Sequence, residues 1–449
     1  MMERVWQRPS VRYAAGAVGI AYLFYLAVMR PNTFGMRNIT LALGVIGLGF
    51  LAAGFETYFL PILLGVFFSA GSILPIWPVM QQVRWPILIL GAVLSLAYYA
   101  RYGRGLSFHA LHLLSVFTVL TALASTFVSY VPMTTLLKAC SLASLFIYGS
   151  VGIRTLCHQR PERVVNWLVR FAEVMVVFTA VVYFVFSYTI WDNPNSLGMI
   201  AGVLCWPVCL WWFLLGSTTS ERVRRGFVLF LCAALLFSSA SRAAMLGAGV
   251  SSVLLLVATK RYRVMVVGTF LMATFLAGVY VLAPERIQST SERLIYKKGD
   301  RSEGILRSRQ EPWEKAMSSF REHPWLGTGF GVSKESADYH DFYSSISRER
   351  GSSYLTLLEG TGLVGTLSFG VLLATLLWHC FRVLLRLRTM GHSNYLAAPV
   401  AGVLLAGLVA AGFEDWLFAV GYYGCLAFWL LAMSLPDLTS HFQRAGAAS

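Results

Sequence analysis

Apolar runs long enough to cross a bilayer recur along almost the whole chain, and they leave few folds open to it. A spanning helix needs about 20 consecutive apolar residues. Fourteen such runs stand between residues 13 and 434: 13–29, 38–54, 57–75, 86–100, 107–128, 132–153, 165–189, 195–216, 225–240, 242–259, 263–283, 353–378, 395–412 and 416–434. The second and third meet tightly around Glu56 and could count as one broken element, which puts the number at 12 to 14. Of the 449 residues 57% are hydrophobic and only 13% charged, about half the charge of an average soluble domain. A soluble enzyme, a secreted disulfide scaffold and a disordered chain are thereby excluded. The expected fold is an all-α polytopic integral membrane protein with about 12–14 transmembrane helices and one large, partly helical periplasmic loop.

The formal net charge of +15 raises the question of nucleic acid, and its distribution answers it. The longest polar stretch, 284–350, is nearly neutral, with 12 Lys and Arg against 11 Asp and Glu. The other basic residues gather in short clusters between apolar runs: Arg154, Arg160 and Arg163; Arg222, Arg224 and Arg225; Lys260, Arg261 and Arg263; Arg382, Arg386 and Arg388. This is the positive-inside pattern of a membrane protein, not a nucleic-acid surface. Successive clusters are separated by even numbers of spans, so all four fall on the cytoplasmic side, with both termini. Arg4, Arg8 and Arg12 precede the first run without a small-residue cleavage site, which reads as a membrane helix that stays. The seven cysteines, such as Cys205, Cys209, Cys232 and Cys425, lie almost all in apolar runs and act as small hydrophobes.

Four segments then share the outer side: Asn193-Pro194-Asn195, the turn before Arg242, the loop 284–352, and Glu414-Asp415. The organisation is accordingly 1–189, N-terminal helices; 190–283, helices carrying NPNSLG and SASR; 284–352, periplasmic loop; 353–449, C-terminal helices. No internal repeat is visible, which counts against a transporter of two inverted halves. Within the loop, Glu311 to Phe320 has the spacing of a short amphipathic helix, with Arg309 just before it and Pro312 in its first turn.

Each candidate residue carries a plain structural alternative. Arg242 follows Ser238-Ser239-Ala240-Ser241 at a membrane boundary, where a charge is costly and often functional; otherwise it snorkels to headgroups. Arg309 is a functional cation or a solvated loop residue paired with Glu311 or Glu314. The Gly327-Thr328-Gly329-Phe330-Gly331 turn has no following helix to make a phosphate loop. Glu414 and Asp415 either cap a helix N-terminus or meet a sugar. Trp191, Trp313, Trp325 and Tyr354 could stack on sugar rings, but interfacial aromatics occur in any membrane protein.

Taken in order, NPNSLG, SASR, SRQEPWEKAMSSFREHPWLGTGFG and SSYLTLLEGTGLVG resemble the O-antigen ligase and Wzy-polymerase superfamily of bacterial envelope glycosyltransferases, strongly over residues 190–380. The resemblance implies an inner-membrane enzyme that moves a glycan from a polyprenyl-diphosphate carrier to an acceptor glycan on the periplasmic face. It implies no cofactor and no metal. Its implied partners are the lipid-linked donor, the acceptor, the bilayer and a chain-length regulator or flippase. Arg242 and Arg309 would grip the diphosphate, with Asn193, Asn195, Ser241, Arg307, Ser352, Ser353 and Tyr354 around the substrate. Ligases of this family begin the returning segment His-Asn-x-Tyr-Leu; here it reads Gly351-Ser352-Ser353-Tyr354-Leu355, so the expected His falls on Gly351. A replacement base is sought among Glu349, His340, Asp341, Glu359 and Glu414, with Glu349 and His340 first. The missing His tips the expectation to a polymerase of exopolysaccharide or O-antigen repeat units. The alternatives are a ligase with a lipid or protein acceptor and a flippase or exporter of lipid-linked glycan.

Overall fold

The computed structural model describes residues 55–74, 77–102, 106–159, 161–191, 193–282, 307–333, 351–390 and 396–446. The expected runs 13–29 and 38–54 lie outside them. The chain divides into two units, Met1–Gly65 and Val66–Ser449. Of the first, the described part is the start of helix Phe55–Ala70, where the rings of Phe55 and Phe59 pack 5.2 Å apart. All that follows concerns the second unit.

The protein is an all-α polytopic membrane protein. Among the described residues six helices are long and apolar enough to span: Pro78–Arg101, Ala110–Val128, Pro132–Ile153, Pro161–Val185, Pro194–Leu214 and Ser353–Thr389. Shorter apolar helices include Arg242–Ala258, Ala397–Ala411 and Tyr423–Thr439. Helices Thr219–Ser238 and Tyr262–Leu282 occupy two further expected runs.

Burial follows the logic of a protein in lipid, where helix association rests on close packing of small residues rather than on escape from water. Helix Ala397–Ala411 is buried along nearly its whole length and is built from Ala, Gly, Val and Leu. Helix Arg242–Ala258 lies against it so closely that a Cβ at Gly247 would stand 2.5 Å from the carbonyl oxygen of Ala406. Large side chains such as Phe117, Leu120, Val266 and Phe270 face outward, toward the acyl chains.

Successive helices alternate in direction, so the turns sort into two ends. At one end Ile73 N–H bonds to Ile190 O, Tyr130 N–H to Thr328 O and Ser353 N–H to Glu414 O. At the other lie the short helix Arg154–Gln159 and the turns 215–218 and 259–261, together with the basic clusters around Arg222, Lys260 and Arg386. Helix Pro132–Ile153, of 22 residues, separates the ends by about 33 Å at 1.5 Å per residue.

Three expectations change. The loop helix runs Arg307–Glu322, so Arg309 stands on the helix rather than before it, and Pro312 is inside it. The last apolar run does not begin a helix at 416; residues 412–422 form an irregular turn and the helix starts at Tyr423. Arg154, expected in a basic loop cluster, begins the short helix Arg154–Gln159 and is buried. It has no exposed surface, and its guanidinium meets Asp437 at 2.5 Å.

Candidate functional site

The site is assembled at the end of the bundle opposite the basic clusters, from four segments distant in sequence. Asn193 caps helix Pro194–Leu214: its Oδ1 accepts the N–H of Asn195 at 2.8 Å, and Pro194 fills the first helical position. Such a start suits both residue types, since the side-chain oxygen satisfies an orphan N–H and proline has none to lose. A π-helical stretch at Met199–Cys205 follows, and Met199 and Val203 line the cavity described below.

The SASR segment makes the turn into helix Arg242–Ala258. Ala240 takes φ +50°, a left-handed conformation that costs a residue bearing a Cβ about 1–2 kcal/mol. The hydroxyl of Ser239 steadies the turn, donating to Leu236 O at 2.6 Å and accepting the Ser241 N–H at 3.2 Å. A Cβ at Gly198 would stand 2.4 Å from Ser241 Cβ, so NPNSLG and SASR meet because both are small at that point.

Arg309 is brought in by the loop helix, and a backbone lock holds that helix. The return helix Ser353–Met390 is interrupted at Gly362 (φ 60°, ψ −162°), a combination essentially confined to glycine. The interruption turns carbonyls and N–H groups away from their helical partners, and the chain just after the loop helix receives them. Thr328 and Gly329 N–H donate to Glu359 O (3.0 Å) and Gly360 O (2.9 Å), while Leu363 and Val364 N–H donate to Pro324 O (2.8 Å) and Trp325 O (3.1 Å). The far side of the turn is tied to the bundle: Phe330 N–H donates to Ser125 Oγ at 2.9 Å, and Lys138 Nζ to Gly331 O at 2.6 Å. The LGTGFG and EGTGLVG segments are thus two halves of one joint.

Glu414 is where the segments converge. Arg309 Nη2 meets its Oε1 at 2.6 Å, and Asn195 Nδ2 donates to its Oε2 at 3.3 Å. Arg242 is within electrostatic reach of both Arg309 and Glu414. The side chains of Arg309 and Glu414 keep 11% and 17% of their surface, enough for a ligand to touch them. Glu414 also lines an open cavity of about 430 Å³, within the range of small-molecule sites. Asn193, Asn195, Ser241, Asp415, Trp416 and Tyr422 contribute polar and aromatic wall, while Ala243, Ala244 and Ala410 leave the room.

The other expected residues have defined places. The Ser353 hydroxyl donates to Glu414 O at 2.7 Å and accepts the N–H groups of Trp416 (3.1 Å) and Leu417 (3.0 Å); it is a tie that holds the Glu414 turn. The Ser352 hydroxyl accepts the Leu355 N–H at 3.5 Å. Tyr354 OH donates to Leu408 O at 2.6 Å. Trp191 is packed on Phe68 and Tyr423 in the core. Arg307 begins the loop helix, its side chain outside what the structure describes. His340, Asp341 and Glu349 lie outside the described residues. Gly351 has φ +68°, and a Cβ there would stand 2.7 Å from Arg309 Cδ and Nη1; the indole of Trp313 closes the same contact, donating to Gly351 O at 3.3 Å.

The comparison with known families bears on the same residues. Residues 227–369 match the O-antigen ligase family, Wzy_C. The matched segment takes in Arg242, the loop helix with Arg309, the glycine joint and Gly351, while Asn193, Asn195 and Glu414 fall outside it. No curated protein matches the chain. The match supports a glycan-transfer role in envelope polysaccharide biosynthesis.

Glu414 is the residue that sequence reasoning undervalued. The signal was its span parity, which put it on the same side as Arg242 and Arg309. The helix-cap alternative does not hold, because the helix begins nine residues later at Tyr423.

Proposed function

We propose that the protein transfers a glycan from a polyprenyl-diphosphate carrier to an acceptor glycan at the outer face of the bacterial inner membrane, and that it polymerises repeat units. The observation that carries this reading is that Arg242 and Arg309, from helices far apart in sequence, come within electrostatic reach of each other and of Glu414, which lines a cavity with polar and aromatic walls. Two guanidiniums close together, one of them buried, stabilise the charge that grows on a leaving diphosphate. Arginine suits this better than lysine because its planar fork engages two phosphate oxygens at once. The surrounding small residues admit a lipid-linked chain at the membrane boundary. On this reading both termini and the basic clusters are cytoplasmic, and the loop is periplasmic.

The polymerase assignment is supported by Gly351. Its φ of +68° strains any side chain there, and a Cβ would stand 2.7 Å from the Arg309 side chain, so the histidine that ligases of the family carry at this position would require both strain and a shift of Arg309. The ligase reading keeps one observation of its own, the description of the matched family itself. The test is purified protein in detergent with a defined polyprenyl-diphosphate oligosaccharide and no other acceptor. A ladder of repeat lengths is expected. Consumption of donor only after a separate lipid or protein acceptor is added would make the protein a ligase. Full activity in both Arg242→Lys and Arg309→Lys would end the diphosphate-grip reading.

A further inference from the structure

We propose that Glu414 is the general base that activates the acceptor hydroxyl, and that the Arg309–Glu414 ion pair is its resting form, opened by the donor. The inference rests on the two-arginine reading above and goes beyond it by naming the group that takes the proton and the event that releases it.

The geometry has three parts. First, glycosyl transfer needs a base within hydrogen-bond reach of the attacking hydroxyl, and Glu414 presents a carboxylate to the cavity in which an acceptor sugar would lie. Second, the segment from which a family ligase draws its histidine offers none here, since that position is Gly351, where a Cβ would stand 2.7 Å from the Arg309 side chain. Third, Glu414 is held from two directions, by Arg309 Nη2 at 2.6 Å and Asn195 Nδ2 at 3.3 Å, while the Ser353 hydroxyl fixes its backbone carbonyl. The carboxylate therefore has a defined direction, and its backbone need not move when one partner leaves.

The ion pair explains how one glutamate serves both states. A carboxylate beside a guanidinium is a weakened base, because the cation favours its charged form. A diphosphate carries more charge than one carboxylate and takes both forks of Arg309 and Arg242. Once Arg309 turns to phosphate, Glu414 loses the guanidinium that contacts it, its basicity rises, and Asn195 still donates to it. In the step itself the acceptor oxygen bonds to the anomeric carbon as its proton passes to the Glu414 carboxylate. The bond between that carbon and the phosphate oxygen breaks, and its electron pair stays on the diphosphate held by the arginines. The base is thus available only when donor is bound, so water entering an empty site meets a neutralised carboxylate.

The test compares wild type, Glu414→Gln and Glu414→Asp, each purified in detergent and checked for a monodisperse size-exclusion peak. Two readouts use a polyprenyl-diphosphate oligosaccharide: donor binding by calorimetry and initial transfer rate against pH. For Glu414→Gln, binding is expected to hold or tighten, because a neutral amide competes less for Arg309. Its rate is expected to fall by about 10²–10⁴-fold. The wild-type rate should drop as pH falls through one ionisation, a limb absent from the residual rate of Glu414→Gln and retained in Glu414→Asp. A Glu414→Gln rate within threefold of wild type, or an unchanged acid limb, overturns the proposal. Loss of that limb in a Glu349→Gln or His340→Asn variant, with the limb kept in Glu414→Gln, overturns it in favour of the loop. If Glu414→Gln does not fold, the Glu414→Asp acid limb decides: a limb identical to wild type in both position and height counts against Glu414. Failure of the underlying reading is distinct, since there Arg242→Lys and Arg309→Lys leave donor binding untouched.

Discussion

Two arginine–carboxylate pairs stand at opposite ends of the bundle, and what surrounds them separates structure from chemistry. Arg154 and Asp437 keep 0% and 8% of their side-chain surface. The Arg154 guanidinium donates to both Asp437 oxygens, to Ser150 O at 3.1 Å and to Ser107 O, and it lies over the Phe108 ring. Its donors are turned to chain atoms on every side. Arg309 and Glu414 have the same chemistry and a similar distance, but Glu414 lines a cavity and both have a second arginine within electrostatic reach. A closed pair with its charges matched fastens helices. An open pair with a second arginine within electrostatic reach is placed to meet an anion.

The sharpest way to break this comparison is to remove one partner from the closed pair. Arg154→Met strands the Asp437 carboxylate inside the protein, at a cost of about 3–5 kcal/mol. The expected result is loss of folded protein, read by thermal unfolding in detergent. Most of the loss should return in the double variant Arg154→Met with Asp437→Leu. If the single variant melts like wild type, the pair at that end is not structural.

At the open pair the balance should reverse. Arg309→Lys keeps the charge but loses the fork. Transfer is expected to fall by about 10²–10³-fold, the scale seen when one preorganised donor is removed, with little change in melting temperature. An equal loss of stability and activity would make the two pairs alike. Gly351→His sharpens the point from the side of the missing base. The substitution places a strained side chain against Arg309, so transfer should drop, by about tenfold or more for the 1–3 kcal/mol of such a conformation. A gain of ligase activity would show instead that the arginine can yield.

The smallest effect belongs to the turn that presents Arg242. Ala240→Gly relieves its positive φ and should raise the melting temperature slightly, by up to about 1 kcal/mol of stability, whereas Ala240→Val should lower it. A destabilised Ala240→Gly would mean that the turn is not strained.

How much of this was legible in the chain depends on range. The apolar runs marked most of the helices, because a span must satisfy its own backbone and face lipid with apolar side chains, and both demands are local. The start of helix Pro194–Leu214 was legible for the same reason, from Asn193 and Pro194 alone. The loop helix was recognised but begun a turn late, because Pro312 suits a first turn yet is also tolerated further in. Arg154 misled, since a basic residue at the end of an apolar run reads as a loop charge unless its partner 283 positions away is known.

The site shows the same division. Arg242 and Arg309 could be named from their motifs. The convergence of Arg309 and Asn195 on Glu414 could not, since it depends on three turns meeting at one end of the bundle. The glycine segments read as flexible punctuation in the sequence, and only when folded do they prove to be the two faces of a joint exchanging backbone hydrogen bonds. Membrane class was therefore decided by composition and periodicity, which act residue by residue, and the candidate cations were named from their motifs. Which cation pairs with which carboxylate, and whether the pair is sealed or open, was decided by tertiary packing. Charge interactions depend on distance and on the exclusion of water, and neither exists until the helices are assembled.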